Sequence, residues 1–181
     1  MRSGMLCTLL FEMLENTRQA LSEGLNNGVC TVERQEMIAA QESWGRGVVE
    51  IGAKATWEEA YEHAVSHVKS HYVLDGSLLF GPTKAAKQQF RNTLKSAVSY
   101  FVGRDEDFAE DGGFALEPWV SVRFENTGCV SQGDVGIAMG NYFFEQQDGT
   151  ELKVEYSFVY VRDAQGALKI QLHHSALPYG G

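Results

Sequence analysis

Cysteine and positive charge are scarce in this sequence, and long hydrophobic runs are missing. Its 181 residues include three cysteines, Cys7, Cys30 and Cys129, which are widely spaced and form no C-x-x-C pair. This spacing argues against a disulfide framework and against a zinc ribbon. We therefore expect a reducing intracellular compartment, either the cytoplasm or a plastid stroma.

The 15 basic residues are outnumbered by 24 acidic ones, which gives a net charge of −9. No basic stripe is available to neutralise nucleic-acid phosphates or anionic lipid, so neither nucleic acid nor a membrane surface is expected as a partner. No stretch approaches the roughly twenty apolar residues of a membrane span. The apolar run from Met5 to Phe11 ends at Glu12 without a small-residue cleavage site, which predicts a helix rather than a signal peptide. We expect a soluble protein.

Apolar spacing predicts helices in the first half of the chain. An N-terminal helical extension is expected over residues 1–30, and one domain over residues 31–181. The predicted helices are residues 6–21, residues 31–53, residues 56–72 with a capping box at Thr56-Trp57-Glu58-Glu59, and a helix that opens at Pro82 and Thr83 with Ala86, Phe90 and Leu94 on its apolar face. Within the second of these, Gly45 and Gly47 indicate close packing against another element. Residues 98–102 look strand-like.

The second half of the chain reads as strands. The predicted strands are Trp119 to Glu125, Gly136 to Glu145, Leu152 to Val161 and Ala167 to Ser175. An acidic loop over residues 105–113 precedes them. Helices followed by a meander of strands predict an α+β fold, with the helices packed on one face of a curved antiparallel sheet.

The last hairpin carries the most informative pattern. Two runs that favour strands flank the turn at residues 163–166, and Leu168, Ile170 and Leu172 alternate with polar residues. Because successive side chains of a strand point to opposite faces, His173 and Ser175 share one face, and His174 follows Leu172 onto the other. An imidazole then lies beside a hydroxyl, which combines a proton acceptor with a hydrogen-bond donor.

Several blocks of the sequence are similar to one family. They are EMIAAQESWGRGVVEIG at 36–52, FGPT at 80–83, AVSYFVG at 97–103, DGGFALEPWVSVRFENTG at 111–128, AMGNYFF at 138–144 and the terminal block at 154–179. Together they resemble the iota-class carbonic anhydrases over about residues 33–179. That family is similar to the association domain of calmodulin-dependent kinase II and to the nuclear-transport-factor-2-like superfamily.

The resemblance implies a cone-shaped α+β barrel, a homodimer, and reversible hydration of carbon dioxide to bicarbonate. Algal and cyanobacterial members are thought to work without a metal, whereas other members were described as preferring manganese. For this chain we expect no metal and no other cofactor.

The resemblance also implies which side chains line a bicarbonate pocket. Carried over position by position, they are Thr83, Tyr100, His173 and Ser175. The chain departs from the usual H-H-S-S-L-P at Ala176, where a second serine is common. If that second serine is the ligand, the assignment to Ser175 is wrong. Ser175 is favoured because it shares a strand face with His173.

Hydration without a metal needs a base for the proton of water and donors for the forming bicarbonate. Imidazole, with an ordinary pKa of about 6.5, suits the first task. One hypothesis is that His173 accepts or relays the proton while Thr83, Tyr100 and Ser175 orient carbon dioxide and bind bicarbonate. The other is that Tyr100, with its pKa lowered by the site, is the base. A non-enzymatic oligomerisation or ligand-binding module, or a different lyase or isomerase, is the alternative function.

Simpler structural roles are open for several of these residues. Thr83 fits a helix N-cap, Tyr100 a core aromatic, and His174 an interior or interface histidine. His63, His67 and His71 are spaced i, i+4, i+8 on a helix; two of them with a ligand from elsewhere would suit zinc, but a polar helix face is the preferred interpretation. Arg123 is left open as a counter-charge to an anion in the pocket, or as a partner of Glu125 or of another subunit. The acidic run of Asp105, Glu106, Asp107, Glu110 and Asp111 could invite a divalent cation, but a solvated loop is the preferred interpretation.

Overall fold

The structure, a computed structural model, describes residues 31–180. Its elements in chain order are the helices α1 (Arg34–Gly52) and α2 (Trp57–His71), strand β1 (Leu79–Gly81), helix α3 (Leu94–Val102), two short 3₁₀ helices (Glu106–Phe108 and Phe114–Leu116), and the strands β2 (Trp119–Gln132), β3 (Val135–Gln146), β4 (Glu151–Arg162) and β5 (Leu168–Ala176). The predicted helix at residues 6–21 lies outside the described residues, and the extension over residues 1–30 stays a prediction.

Helix α2 begins directly after the predicted cap Thr56, whereas α1 begins at Arg34, three residues after the predicted start at residue 31. Both helices carry a capping box. The Glu33 backbone N–H donates to the Glu36 carboxylate at 2.8 Å. Thr56 Oγ1 accepts from the Glu59 backbone N–H at 3.2 Å, and the Glu59 carboxylate in turn accepts from the Thr56 N–H. Such a cap stabilises a helix by about 1 kcal/mol. Both predicted helices are confirmed.

The predicted helix at Pro82 and Thr83 is wrong, and so is the strand-like reading of residues 98–102. Residues 82–93 form turns and loop, and Phe90 is 65% exposed instead of facing inward. The backbone N–H groups of residues 86, 87 and 88 donate to the Glu110 carboxylate rather than to helical carbonyls. The helix begins at Leu94 after the cap Thr93 and is buried on all sides from Ser96 to Val102. A helix buried all round shows no 3.6-residue apolar periodicity, which explains the error.

The five strands form one sheet in the order β1-β5-β4-β3-β2. Strands β2 to β5 make the predicted antiparallel meander, and all four are confirmed, with β2 longer than expected. The short β1, which the sequence did not reveal, pairs parallel with β5. The α+β class is therefore confirmed; the sheet is curved and unclosed, since its edge strands β1 and β2 are not paired with each other.

Helix α1 packs against the concave side of the sheet, with Trp44 at the centre of the core. Trp44 contacts rings from α3 and from four strands, namely Phe101, Phe124, Tyr142, Phe144, Phe158 and His173. A Cβ atom added at Gly45 would come 3.0 Å from Val122 Cβ, and one added at Gly47 would come 2.2 Å from His67 Nδ1. The predicted role of both glycines in close packing is confirmed.

A β-bulge in β5 determines which terminal side chains face the core. Tyr160 pairs with Ile170 but Val159 pairs with Leu172, so Gln171 is the extra residue. The extra residue shifts the alternation of inward and outward side chains by one position. Ile170 and His173, three positions apart, are therefore both buried. Beyond it, simple alternation resumes: His173 and Ser175 share the inner face, as predicted, and His174 is exposed.

Among the helices of residues 31–180, none combines the length and the apolar character that a bilayer-spanning segment requires.

Candidate active site

Side chains from three separate parts of the chain meet at the inner face of β5. Thr83 Oγ1, in the loop after β1, donates to Ser175 Oγ at 2.9 Å although the two residues are 92 positions apart. Tyr100 on α3 hydrogen-bonds with the Thr83 side chain and with the Lys84 backbone. His173 is buried two residues before Ser175 on the same strand face. The four residues implied by the resemblance are therefore neighbours.

Tyr142 on β3 connects these groups, and the sequence reasoning missed it. Its hydroxyl lies 3.4 Å from His173 Nε2 and hydrogen-bonds with the side chains of Ser175 and Thr83. The pairing of β3 with β4, and of β4 with β5, brings its hydroxyl to the terminal histidine. The signal available in the sequence was its place in the AMGNYFF block.

The two tyrosines of this cluster are held as neutral phenols. Burial raises the pKa of Tyr100, although its hydrogen bonds with the Lys84 backbone and Thr83 act in the other direction. Burial likewise raises the pKa of Tyr142, against hydrogen bonds with Ser175 and Thr83. A Tyr100 base would need a lowered pKa, whereas burial raises the pKa of this residue. Tyr100 is therefore available as a hydroxyl donor.

His173 is enclosed by aromatic rings. Its ring centroid lies 4.6 Å from that of Phe80 in a stacked arrangement and 4.5 Å from that of Phe158 edge-on. Burial, with a smaller effect from the neighbouring His174, lowers the pKa of His173 well below the ordinary value. The imidazole is therefore neutral at neutral pH, and its single N–H hydrogen is on either Nδ1 or Nε2.

Behind His173 lie two further polar groups that sequence reasoning did not connect with the site. Tyr72 Oη lies 2.9 Å from His173 Nδ1, and Trp44 Nε1 donates to Tyr72 Oη at 2.8 Å. Both residues were predicted as inward positions of their helices, which is confirmed, but helical spacing contains no information about a hydrogen bond to a strand 101 positions away.

A cavity of about 400 Å³ opens beside Tyr100. Phe114 and Leu116 form its apolar wall, and Glu110, Lys84 and Glu117 supply charges, with Lys84 Nζ 2.5 Å from Glu117 Oε1. Because Tyr100 borders this cavity and also contacts Thr83, the cavity provides an approach from solvent to the hydroxyl cluster.

The acidic run was predicted as a solvated loop, and for two of its members that is wrong. Asp111 and Arg91 are fully buried and paired at 2.7 Å, and Asp111 also accepts from Ser99 Oγ at 2.7 Å. Glu110 accepts three backbone N–H groups, which hold its pKa at about 2. Asp111 binds both Arg91, at the end of the loop that carries Thr83, and Ser99, on the helix α3 that carries Tyr100. The network therefore connects this loop with α3.

The three helix histidines lie in different surroundings. His63 Nε2 is 3.0 Å from Glu50 Oε2, and His71 contacts Ser43 Oγ and the His67 carbonyl. His67 is buried rather than part of a polar face, neither ring nitrogen has a hydrogen-bond partner, and burial lowers its pKa well below the ordinary value. Within residues 31–180 no group of three or more His, Cys, Asp or Glu side chains is arranged to hold a metal ion.

Three remaining candidates lie away from the cluster. His174 is exposed on the outer face of the sheet, with Ala176 beside it. Of its two predicted positions, the interior one is therefore wrong and the interface one stays a prediction. Arg123 pairs with Glu125 and Glu151 at the surface instead of facing the hydroxyl cluster. The serine that faces Thr83 is thus Ser175, and position 176 points to the opposite side of the strand.

Comparison with known proteins decides the family. The family model described as metal-independent carbonic anhydrase matches residues 35–177. A metal-independent carbonic anhydrase from Nostoc sp. strain PCC 7120 is 35% identical over 156 residues, which cover 82% of this chain and 75% of the relative. This chain belongs to the metal-independent carbonic anhydrases. Its reaction is the reversible hydration of carbon dioxide to bicarbonate.

Solved structures agree with this membership. The crystal structure of a cyanobacterial iota-carbonic anhydrase complexed with bicarbonate superposes with a TM-score of 0.81 at 33% identity, covering 83% of this chain and 95% of that one. A putative calcium/calmodulin-dependent protein kinase II association domain from Xanthomonas campestris gives a TM-score of 0.51 at 16% identity, covering 83% and 91%. The second likeness shows a shared fold alone.

Proposed function

We propose that this carbonic anhydrase binds carbon dioxide and bicarbonate at the cluster formed by Thr83, Tyr100, His173 and Ser175. The observation that carries the proposal is the 2.9 Å contact between the Thr83 and Ser175 hydroxyls at the buried face of β5. Hydroxyl donors gathered at a buried strand face suit an anionic product. The cyanobacterial relative was crystallised with bicarbonate, which supports an anion site in this fold.

The chemistry required of the cluster is stabilisation of charge. Water adds to the carbon of carbon dioxide, one proton leaves, and the negative charge is shared by the product oxygens. Fixed donors aimed at those oxygens stabilise the transition state without having to reorient during the reaction. In this pocket the hydroxyls of Thr83, Tyr100 and Ser175 would supply them, since burial keeps Tyr100 protonated.

The released proton would leave through the cavity beside Tyr100. Glu110 and Glu117 line that cavity but already have partners, so water in the cavity would be the acceptor that carries the proton away. Whether His173 takes part as an acceptor or as a donor depends on its tautomer, because only a ring nitrogen without a hydrogen can accept a proton.

Stopped-flow measurement of carbon dioxide hydration tests the function. Protein treated with a chelator and checked for metal content is expected to accelerate hydration above the buffer rate. Adding zinc or manganese back in stoichiometric amount is expected to leave the rate unchanged. A rate equal to background after chelation, restored by one of these metals, would overturn the proposal.

We also propose that a second copy of the chain covers the outer face of the sheet. Val130, Ile137 and Met139 are exposed there at 53%, 37% and 55%, and Met139 borders a shallow cavity of about 280 Å³ with His174. Exposed apolar side chains gathered on one sheet face favour association. Sedimentation velocity at tens of micromolar is expected to show a dimer, and a monomer at that concentration would contradict it.

A further inference from the structure

A chain of buried hydrogen bonds leads from α1 to the pocket. Trp44 Nε1 donates to Tyr72 Oη at 2.8 Å, and Tyr72 Oη lies 2.9 Å from His173 Nδ1. All three side chains are at most 2% exposed. Each polar atom in such surroundings needs a partner, because burying an unsatisfied donor costs about 1–3 kcal/mol.

The direction of each hydrogen bond follows from what the groups can do. An indole nitrogen is a donor only, so Tyr72 Oη accepts from Trp44. The hydroxyl then has one hydrogen to place, and within residues 31–180 its other hydrogen-bond partner is His173 Nδ1. If Nδ1 carried a hydrogen, the Tyr72 hydrogen would have no acceptor there. Nδ1 must therefore be the bare nitrogen, and the single hydrogen of the neutral ring is on Nε2.

We propose that Trp44 and Tyr72 are positioning residues that fix His173 in the Nε2–H tautomer, so that His173 acts in the reaction as a hydrogen-bond donor and not as the base. The inference rests on the proposed site. Nε2 lies 3.4 Å from Tyr142 Oη, whose hydroxyl hydrogen-bonds with Ser175 and Thr83. The hydrogen on Nε2 is thus directed toward the cluster that would hold bicarbonate.

The tautomer matters because the product is an anion. A bare Nε2 would present a lone pair toward the cluster that holds the product oxygens, and repulsion would weaken both bicarbonate and the transition state leading to it. An N–H at the same place adds a donor, directly or through Tyr142. The indole N–H of Trp44 can only donate, so the directions of the two hydrogen bonds from Trp44 through Tyr72 to His173 cannot be reversed. His173 is therefore a donor at Nε2 before the substrate arrives.

Nuclear magnetic resonance of the wild-type protein tests the tautomer directly. Long-range ¹H–¹⁵N correlation of ¹⁵N-histidine-labelled protein, with His173 assigned from the spectrum of the His173→Gln variant, reports which ring nitrogen carries hydrogen. We expect Nε2–H with a bare Nδ1 between pH 6 and 8, because burial keeps the ring neutral. An Nδ1–H tautomer, or a doubly protonated ring at pH 7, would overturn the proposal.

Removal of the Tyr72 hydroxyl tests whether this group fixes the tautomer of His173. Tyr72→Phe is expected to give a mixture of tautomers and to lower kcat/KM about tenfold or more, by the ordinary contribution of one oriented donor. Tyr160→Phe is the matched control: Tyr160 is buried on β4, and the polar neighbour of its hydroxyl is Gln41 on α1 rather than His173. An unchanged tautomer in folded Tyr72→Phe would contradict the role of Tyr72, and the wild-type spectrum decides the tautomer if this variant folds poorly.

Kinetics of two His173 variants separate a donor from a base. The glutamine side-chain amide nitrogen can take the place of Nε2 and donate, but it cannot accept a proton, whereas leucine does neither. We expect His173→Gln to retain at least about tenfold more kcat/KM than His173→Leu, a lower bound on the roughly 10²–10³-fold that one oriented donor usually contributes. Equal loss in the two variants would favour a base. A wild-type protein without hydration activity would refute the proposed function but leave the tautomer measurement standing.

Discussion

Replacing Ser175 by alanine is expected to lower kcat/KM for carbon dioxide hydration about 10²–10³-fold, the usual cost of removing one donor from an oxyanion-type site. The hydroxyl of Ser175 accepts from Thr83 and is buried beside His173, so no solvent hydroxyl can replace it without rearrangement. Stopped-flow hydration with a pH indicator measures the change. Fold stability is expected to change by about 1 kcal/mol, the net worth of one neutral hydrogen bond.

Ser157→Ala provides the matched control. Ser157 lies on the neighbouring strand β4, opposite His174, and therefore faces the outer side of the sheet. Like Ser175→Ala, this variant loses one serine hydroxyl from a β-strand. Its kcat/KM is expected to stay within about twofold of wild type, as for a surface substitution. Ser175→Ala with more than half of the wild-type kcat/KM would refute the site and leave the enzymatic function untouched.

Replacing Asp111 by alanine is expected to destabilise the fold by about 3–5 kcal/mol, since it leaves a buried charge without its partner. Arg91 is fully buried, and Asp111 receives both its Nη2 at 2.7 Å and its Nε at 3.2 Å. The remaining carboxylate partner, Glu110, is 3.4 Å away and already accepts three backbone N–H groups. Equilibrium urea unfolding followed by tryptophan fluorescence measures the loss.

Asp107→Ala is the control for this second prediction. Asp107 pairs with Lys95 at the surface, where both side chains are more than half exposed, and such a pair contributes about 0–1 kcal/mol. A double replacement, Arg91→Met with Asp111→Leu, removes both charges and is expected to cost less than Asp111→Ala alone. A double variant less stable than the single one would show that the pair itself, and not an uncompensated charge, stabilises the loops around Thr83 and Tyr100.

The parts of the fold with local signals were predictable. The capping box at Thr56 marks the start of α2, apolar spacing marks the body of α1, and period-two alternation marks the last strand. Where local signals failed, the cause was tertiary. Residues 82–93 lack helical hydrogen bonds because the distant Glu110 supplies their acceptor, and α3 lacks an apolar stripe because it is buried on every side. The buried pairing of Asp111 was hidden for the same reason, since a run of acidic residues is usually solvated.

The candidate site divides in the same way. Resemblance named Thr83, Tyr100, His173 and Ser175, and the alternation of β5 placed the last two on one face. It did not name Tyr142, Tyr72 or Trp44, whose polar atoms meet His173 from separate elements. The bulge at Gln171 was also invisible, although it turns His173 toward the core together with Ile170.

By itself the sequence determined the α+β class, the family and the four residues of the proposed pocket, because periodicity, capping and motif are properties of neighbouring positions. Only the tertiary structure decided that Thr83 meets Ser175, that burial keeps Tyr100 protonated, and that Tyr72 Oη lies against His173 Nδ1. These depend on burial and on contacts between residues about a hundred positions apart. Burial sets the cost of a charge, and distant partners set the direction of each hydrogen bond.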